Sequence, residues 1–363
     1  MSNSNKIDEI ERYVSESARK LPFDISWYIY SRLKKEKGIE KSVLPLKIGL
    51  KITDSCNFNC SYCFTKKSKN NMSYKTVSNF INSLKQKPYS VYLTGGEPFL
   101  NPDVFKIINL LHTNNIIVSV HTTGILNNEI LKKLGNEISK IARLQVSIDS
   151  IKLFSNLRPS KEDYPIKKIT QFIKIIENRK KVHINCVLSQ LNKNCIEDII
   201  DFCSENDIQF LRLSTIFTED DDLKLYDDDM IGDYYRFVSV AKRSGINIIA
   251  SPFCHPWSLK TKHKKQEHLE LFCPAQKTEI EIDSLGNVYP CPFLHDKAHR
   301  MGNINEMPFS EIWDGGVLDL NQLSWSSNEK CQACNHFKSC GGGCYANAIL
   351  QKKDFDPRCI INV

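Results

Sequence analysis

The sequence predicts an α/β protein: an open, partial (β/α)6, TIM-like barrel over residues 46–250, followed by a Cys-rich domain over residues 251–363. Three observations predict it. Six short apolar, strand-like runs alternate with six amphipathic helical patterns between Leu46 and Ala250, the succession that builds a parallel sheet with right-handed crossovers. After Ser251-Pro252 that periodicity fades, and from Cys273 onward seven of the fourteen Cys crowd together. The composition is that of a globular chain, 41% hydrophobic and 25% charged over 363 residues, long enough for one large domain and a smaller one.

The same numbers exclude several classes. No apolar run approaches the ~18 residues of a membrane span, so no membrane partner is expected. Met1 to Lys20 is polar, without the apolar core of a secretory signal, and a cytoplasmic protein is expected. In a reducing compartment fourteen Cys point to metal rather than to disulfides. The net charge of +7 comes from scattered pairs such as Lys132-Lys133, Lys167-Lys168 and Lys264-Lys265. A solvated surface accounts for them, and no nucleic-acid partner is expected. Asp220-Asp221-Asp222 and Asp227-Asp228-Asp229 likewise read as solvated acid runs.

Taken in order, residues 1–45 read as a helical segment. Ile7, Ile10, Val14 and Ala18 recur at helical spacing, Leu21-Pro22 breaks the pattern, and Trp27 to Leu33 resumes it. A cap over the barrel edge is the expected role. The strands are predicted at Leu46–Thr53, Ser90–Thr94, Ile116–His121, Leu144–Ile148, Val182–Leu188 and Ile208–Ser214. The helices between them are predicted at Tyr74–Leu84, Val104–His112, Glu129–Leu134, Ile166–Glu177, Ile196–Glu205 and Met230–Lys242. Six units are too few to close an eight-stranded barrel, and the site of such a sheet lies at the C-terminal ends of its strands. Cys186, Cys195 and Cys203 lack ligand spacing and read as small buried hydrophobes.

The loop after the first strand reads Cys56-Asn57-Phe58-Asn59-Cys60-Ser61-Tyr62-Cys63. Three thiolates so spaced can hold three irons of a cubane cluster and leave the fourth without a protein ligand, whereas a closed cluster takes four Cys. Half of a zinc site is the other reading, but zinc knuckles pair two such Cys sets, and no Cys follows Cys63 until Cys186. This C-x3-C-x2-C pattern, with Tyr62 before its last Cys, resembles the radical S-adenosylmethionine (SAM) enzymes. One βα unit later stands Thr94-Gly95-Gly96-Glu97-Pro98. Its glycines allow backbone to approach a ligand, and Glu97 can accept from an ammonium. It is similar to the family's motif for the methionine amino group of SAM. The fourth strand ends Gln145-Val146-Ser147-Ile148-Asp149-Ser150, similar to the family's Ser-x-Asp segment. The resemblance carries a SAM ribose contact to Ser147 and a cofactor contact to Arg158. No His-Asp precedes Arg158, and its spacing is one residue short. Thr122-Thr123-Gly124 reads as a turn.

In the second Cys system, Lys277 to Pro290 reads as a β-hairpin turning at Leu285-Gly286 and leading to Cys291. With Cys273 before it and Cys331, Cys334, Cys340, Cys344 and Cys359 after it, the set resembles the SPASM extension of radical SAM enzymes, which carries two auxiliary [4Fe–4S] clusters. The resemblance implies Cys331, Cys334, Cys340 and Cys359 on the outer cluster. It implies Cys273, Cys291 and Cys344 on the inner one, whose fourth place goes to Cys254, His268 or no protein ligand. A pair of structural zinc sites, colourless and redox-silent, is the other chemistry these ligands could serve.

The resemblance thus implies SAM and three [4Fe–4S] clusters as cofactors, and a 5′-deoxyadenosyl radical as the oxidant of a substrate C–H bond. Auxiliary clusters would take the electron back or bind the substrate. The expected substrate is a ribosomal precursor peptide or protein, crosslinked or otherwise oxidised. The alternative is a small molecule such as a haem precursor or aminosugar. Sulfatase maturation is disfavoured, because Pro292 stands where those relatives carry an Asp acting as base. Expected partners are an electron donor such as flavodoxin or ferredoxin and a separate leader-binding protein, since residues 1–45 are too short for a leader-recognition domain.

Overall fold

The computed structural model describes residues 41–225, 230–250, 273–316, 328–335, 337, 342–353, 355–357 and 359. The expected N-terminal helical segment lies outside the described residues up to position 40, as do Cys254, His268 and Cys340.

Seven parallel strands form the barrel: β1 (Lys47–Thr53), β2 (Ser90–Gly95), β3 (Ile117–Thr122), β4 (Arg143–Ser147), β5 (Val182–Leu188), β6 (Phe210–Thr215) and β7 (Asn247–Ala250). Between them run α1 (Tyr74–Ser83), α2 (Val104–Thr113), α3 (Asn128–Glu137), α4 (Phe154–Leu157), α5 (Pro165–Ile175), α6 (Ile196–Glu205) and α7 (Met230–Arg243). Side chains alternate across each strand. Ile48, Leu50, Ile52, Leu93, Val120, Leu144 and Val146 face the helices and are fully buried against Ile81, Ile107, Leu111, Ile169 and Ile173. The opposite face is polar, carrying Tyr92 stacked on His121 at 4.9 Å and His183 stacked on Phe210 at 4.5 Å. Local caps agree with the sequence: Ser73 accepts from Thr76 N at the start of α1, and Asn127 from Ile130 N at the start of α3.

Two features differ from the expectation. The sheet has a seventh parallel strand, where the sequence offers four residues after Gly245-Ile246, a run too short to separate from a helix end. The hairpin, β8 (Glu279–Ile282) and β9 (Asn287–Tyr289), is present. It does not stand apart, because β8 pairs in parallel with β1 from Lys47↔Glu279 to Leu50↔Ile282. With β10 (Gly302–Asn303) the ten strands run β10-β9-β8-β1-β2-β3-β4-β5-β6-β7 in one sheet. Gly286, at φ +88°, makes the tight turn.

The helix α8 (Phe309–Gly315) fastens the second domain to the first. Trp313 is buried and its Nε1 donates to Ser42 O at 3.1 Å, while Phe309 meets Phe80 of α1 edge-on at 5.2 Å. Among the described residues no helix is long and apolar enough to cross a membrane.

Candidate active site

The loop carrying Cys56, Cys60 and Cys63 leaves the C-terminal end of β1 and is braced from three sides. Asn101 donates to Ile52 O at 2.6 Å and to Met72 O at 2.9 Å. Lys67 donates to Phe58 O and to Asn59 Oδ1, and Asn59 N donates to Pro159 O at 2.7 Å. Gly96 N and Glu97 N donate to Thr53 O and Ser55 O at 2.9 and 2.7 Å. A Cβ on Gly95 (φ +139°) would lie 2.1 Å from Thr53 O, and one on Gly96 2.1 Å from Ser55 O. The sequence suggested that these glycines admit a ligand to the backbone. What they admit here is the backbone of the Cys loop itself.

The three thiols are free, Cys56 and Cys60 half-buried and Cys63 exposed. Burial pushes the Cys60 thiol up to about 11, against the pull of Arg158 and with Asp149, Cys63 and Cys56 adding to the rise. Burial likewise raises Cys56. Among the described residues no three His, Cys, Asp or Glu side chains are drawn as close as a single metal ion would hold them. The thiols of this loop are electrostatic neighbours at wider spacing.

Glu97 is completely buried. Its carboxylate accepts from Thr122 Oγ1 at 2.9 Å, Thr123 N at 2.7 Å, Thr123 Oγ1 at 2.8 Å and Phe99 N at 3.3 Å. Burial raises its pKa, and these donors oppose the rise. The sequence suggested an acceptor for an ammonium. The geometry turns the carboxylate inward, tying the end of β2 to the end of β3, and Pro98 begins a buried single turn behind it. Thr122 and Thr123, read as a turn, are the donors. Their position at the end of the strand beside Glu97 was the available signal.

Asp149 is the residue that sequence reasoning passed over. It is 1% exposed and accepts from four directions. Arg158 Nε and Nη2 donate to Oδ2 and Oδ1 at 2.8 and 3.2 Å, Val187 N donates to Oδ1 at 2.9 Å, and Tyr62 OH donates to Oδ2. The Arg158 guanidinium lies 5.8 Å from the Tyr62 ring centroid, and its Nη1 donates to Cys60 Sγ at 3.9 Å. Two site residues named from the sequence, Tyr62 and Arg158, are thus joined by a third. Ser147 sits half-buried at the end of β4.

In the second domain Cys273, Cys291 and Cys344 gather in a small apolar cluster with Phe217, Ala275, Leu294 and Ala346. Burial raises the Cys291 thiol strongly, and Cys273 and Cys344 add to it as neighbours. Asp356, 2% exposed, holds this corner: its Oδ2 accepts from Cys344 N at 2.8 Å and its Oδ1 from Asn347 at 3.0 Å. Its carbonyl accepts from Cys359 N at 2.9 Å, so one residue reaches both predicted ligand sets. Cys331 N is capped by Asn328 Oδ1 at 3.1 Å, and Cys334 N donates to Cys331 O. Phe293, two residues beyond Cys291, stacks on Phe217 at 4.1 Å and meets Phe64, the neighbour of Cys63, edge-on at 5.1 Å. Both Cys systems therefore adjoin one set of rings. Thiols in threes, one set beside open solvent and one in an apolar pocket, suit iron–sulfur clusters or zinc, the metals that soft thiolates select.

A family model described as the radical SAM superfamily matches residues 50–203, and one described as an iron–sulfur cluster-binding domain, SPASM, matches residues 273–335. The chain is 26% identical over 351 residues to the AdoMet-dependent heme synthase of Methanosarcina barkeri, covering 87% of this chain and 96% of that protein. It is 26% identical over 344 residues to the cysteine-type anaerobic sulfatase-maturating enzyme of Clostridium novyi, covering 81% and 86%. Streptococcus suis SuiB bound to its precursor peptide SuiA superposes with a TM-score of 0.69 at 23% identity, covering 92% of this chain and 79% of that one.

Proposed function

Since the chain is a member of the radical SAM superfamily and carries a SPASM iron–sulfur cluster-binding domain, we propose that it oxidatively modifies a ribosomal peptide or protein, forming a crosslink or an equivalent two-electron product. The observation that carries this reading is the ring set Phe64, Phe293 and Phe217, which joins the loop of Cys63 to the loop of Cys291. A hydrogen abstracted beside the first loop would leave an electron close to the second.

In this reading Cys56, Cys60 and Cys63 hold a [4Fe–4S] cluster that SAM completes. Cys273, Cys291 and Cys344 hold the inner auxiliary cluster, and Cys331, Cys334, Cys340 and Cys359 the outer one. When bound, SAM and the reduced cluster supply a 5′-deoxyadenosyl radical, and the organic chemistry is the cofactor's own. The chain's residues orient and shield it. Glu97 and Asp149 fix the ends of β2, β3, β4 and β5 around the Cys loop. The Gly96–Ser55 packing fixes the loop's height, and Ser147 offers a hydroxyl at the strand tips for a ribose. Phe293, stacked on the buried Phe217 and edge-on to Phe64, places apolar rings between the two Cys loops, where they offer a radical no O–H, N–H or S–H donor.

The peptide class is supported by likeness of fold to a peptide-bound enzyme. The relative named a heme synthase supports a second reading, oxidation of a small metabolite. Sulfatase maturation is the weaker alternative, because Pro292 offers no acid–base group. An electron donor such as flavodoxin or ferredoxin and a leader-binding protein would serve the peptide reading. The test incubates the anaerobically reconstituted chain with SAM, dithionite and either a candidate precursor peptide or a porphyrin precursor. Peptide-dependent deoxyadenosine, with loss of two hydrogens from the peptide mass, is the expected result. Coupling to the porphyrin precursor alone would transfer the assignment to the small-molecule class.

A further inference from the structure

We propose that Arg158 is a positioning residue for the first cluster, donating to the Cys60 thiolate, and not a contact to SAM. This inference rests on the assignment of Cys56, Cys60 and Cys63 as cluster ligands. The guanidinium is buried, 7% exposed, and its fork is committed: Nε and Nη2 hold Asp149 at 2.8 and 3.2 Å, which leaves Nη1 directed at Cys60 Sγ at 3.9 Å. Asp149 is itself immobilised by Val187 N and Tyr62 OH. The donor therefore cannot swing towards a ligand at the strand tips without breaking a bidentate buried pair. A planar guanidinium fits this double duty, since one edge meets the carboxylate and the remaining N–H stays fixed in direction.

A hydrogen bond and a positive charge at a ligating sulfur stabilise the reduced cluster, because they offset negative charge that the added electron increases. Arg158 should accordingly hold the reduction potential of the first cluster above that of an unsupported site. Tyr62, whose hydroxyl donates to the same Asp149 Oδ2 that accepts from Arg158 Nε, keeps the assembly in register with the Cys loop.

The experiment uses the reconstituted full-length chain and the variants Arg158→Gln and Arg158→Lys. Three quantities are measured: iron and sulfide content, SAM affinity by equilibrium binding, and the midpoint potential of the electron paramagnetic resonance signal that changes on adding SAM. Arg158→Gln is expected to move that potential to more negative values with SAM affinity held within about twofold. Arg158→Lys should move it the same way by less, since it keeps the charge and loses the fork. An unchanged potential with SAM affinity weakened by about tenfold or more, the size typical of a lost charged hydrogen-bond partner, would overturn the inference and return Arg158 to SAM. A shift in Arg158→Gln that is absent from Arg158→Lys would assign the effect to charge and overturn the hydrogen bond. Loss of the first cluster from both variants would make Arg158 a purely structural post and also overturn it. Failure of the ligand assignment is separate: the unsubstituted chain would then show no SAM-responsive signal at all.

Discussion

Around Cys56, Cys60 and Cys63 the supports are buried polar groups on strand ends, Glu97 and Asp149 with their donors, together with two glycines pressed on backbone. Around Cys273, Cys291 and Cys344 they are apolar side chains, Phe217, Ala275, Leu294 and Ala346, with the buried carboxylate of Asp356 at the corner and that of Glu281 near Cys291. A saturated polar network fixes geometry in one arrangement and leaves a setting compatible with a charged co-substrate. An apolar pocket excludes water and lowers the local dielectric, which suits groups that exchange electrons only. The two regions thus surround the same kind of atom, a cysteine sulfur, with different environments.

The largest effect that would sharpen this comparison comes from Asp149→Ala. It strands a buried guanidinium, and breaking such a pair costs about 3–5 kcal/mol. Denaturant unfolding should register that loss, and iron at the first site should fall while the auxiliary sites keep theirs. Equal loss at both sites would break the distinction. Next is Gly96→Ala, whose Cβ would meet Ser55 O at 2.1 Å. Overpacking of this kind costs ~1–3 kcal/mol, and the selective loss of iron should again fall on the first site. Smaller in stability is Phe293→Ala, which removes two ring contacts worth ~0.5–1.5 kcal/mol each. Iron content should hold at both sites, while deoxyadenosine formed per modified substrate rises severalfold, as chromatography of both products would show.

The smallest effect is a control in β5, away from both sites. Burial lowers the His183 pKa from 6.5 to about 3. The unfolded chain therefore binds the proton first, so the stability this group confers is complete above pH 6.5 and lost as pH falls from 6.5 towards 3. His183→Leu should flatten the acid limb of a stability–pH curve and leave iron content at pH 8 untouched.

Much of this organisation was legible beforehand. The six predicted strands fall within two residues of β1 to β6 because each is an apolar run of ordinary length bounded by turns. The placing of Cys56, Cys60 and Cys63 on one loop after β1 was legible because spacing along the chain is a local property. What escaped was pairing between distant segments. Nothing in Glu279–Ile282 states that its partner is β1, and Asp149 reads as one more polar residue until Arg158, Tyr62 and Val187 are folded around it. Glu97 was found, but its partners were not, because a carboxylate's direction depends on the neighbouring strand.

The central claim is that Cys56, Cys60 and Cys63 hold an iron–sulfur cluster at which SAM is reductively cleaved. Its most direct test is anaerobic reconstitution followed by metal and sulfide analysis and incubation with SAM and dithionite. Brown protein that contains iron and sulfide and releases methionine and 5′-deoxyadenosine is predicted. A Cys56→Ala/Cys60→Ala/Cys63→Ala variant should keep its auxiliary iron and release neither product. Protein that takes up zinc without sulfide, or that leaves SAM intact under strong reductant, would contradict the account.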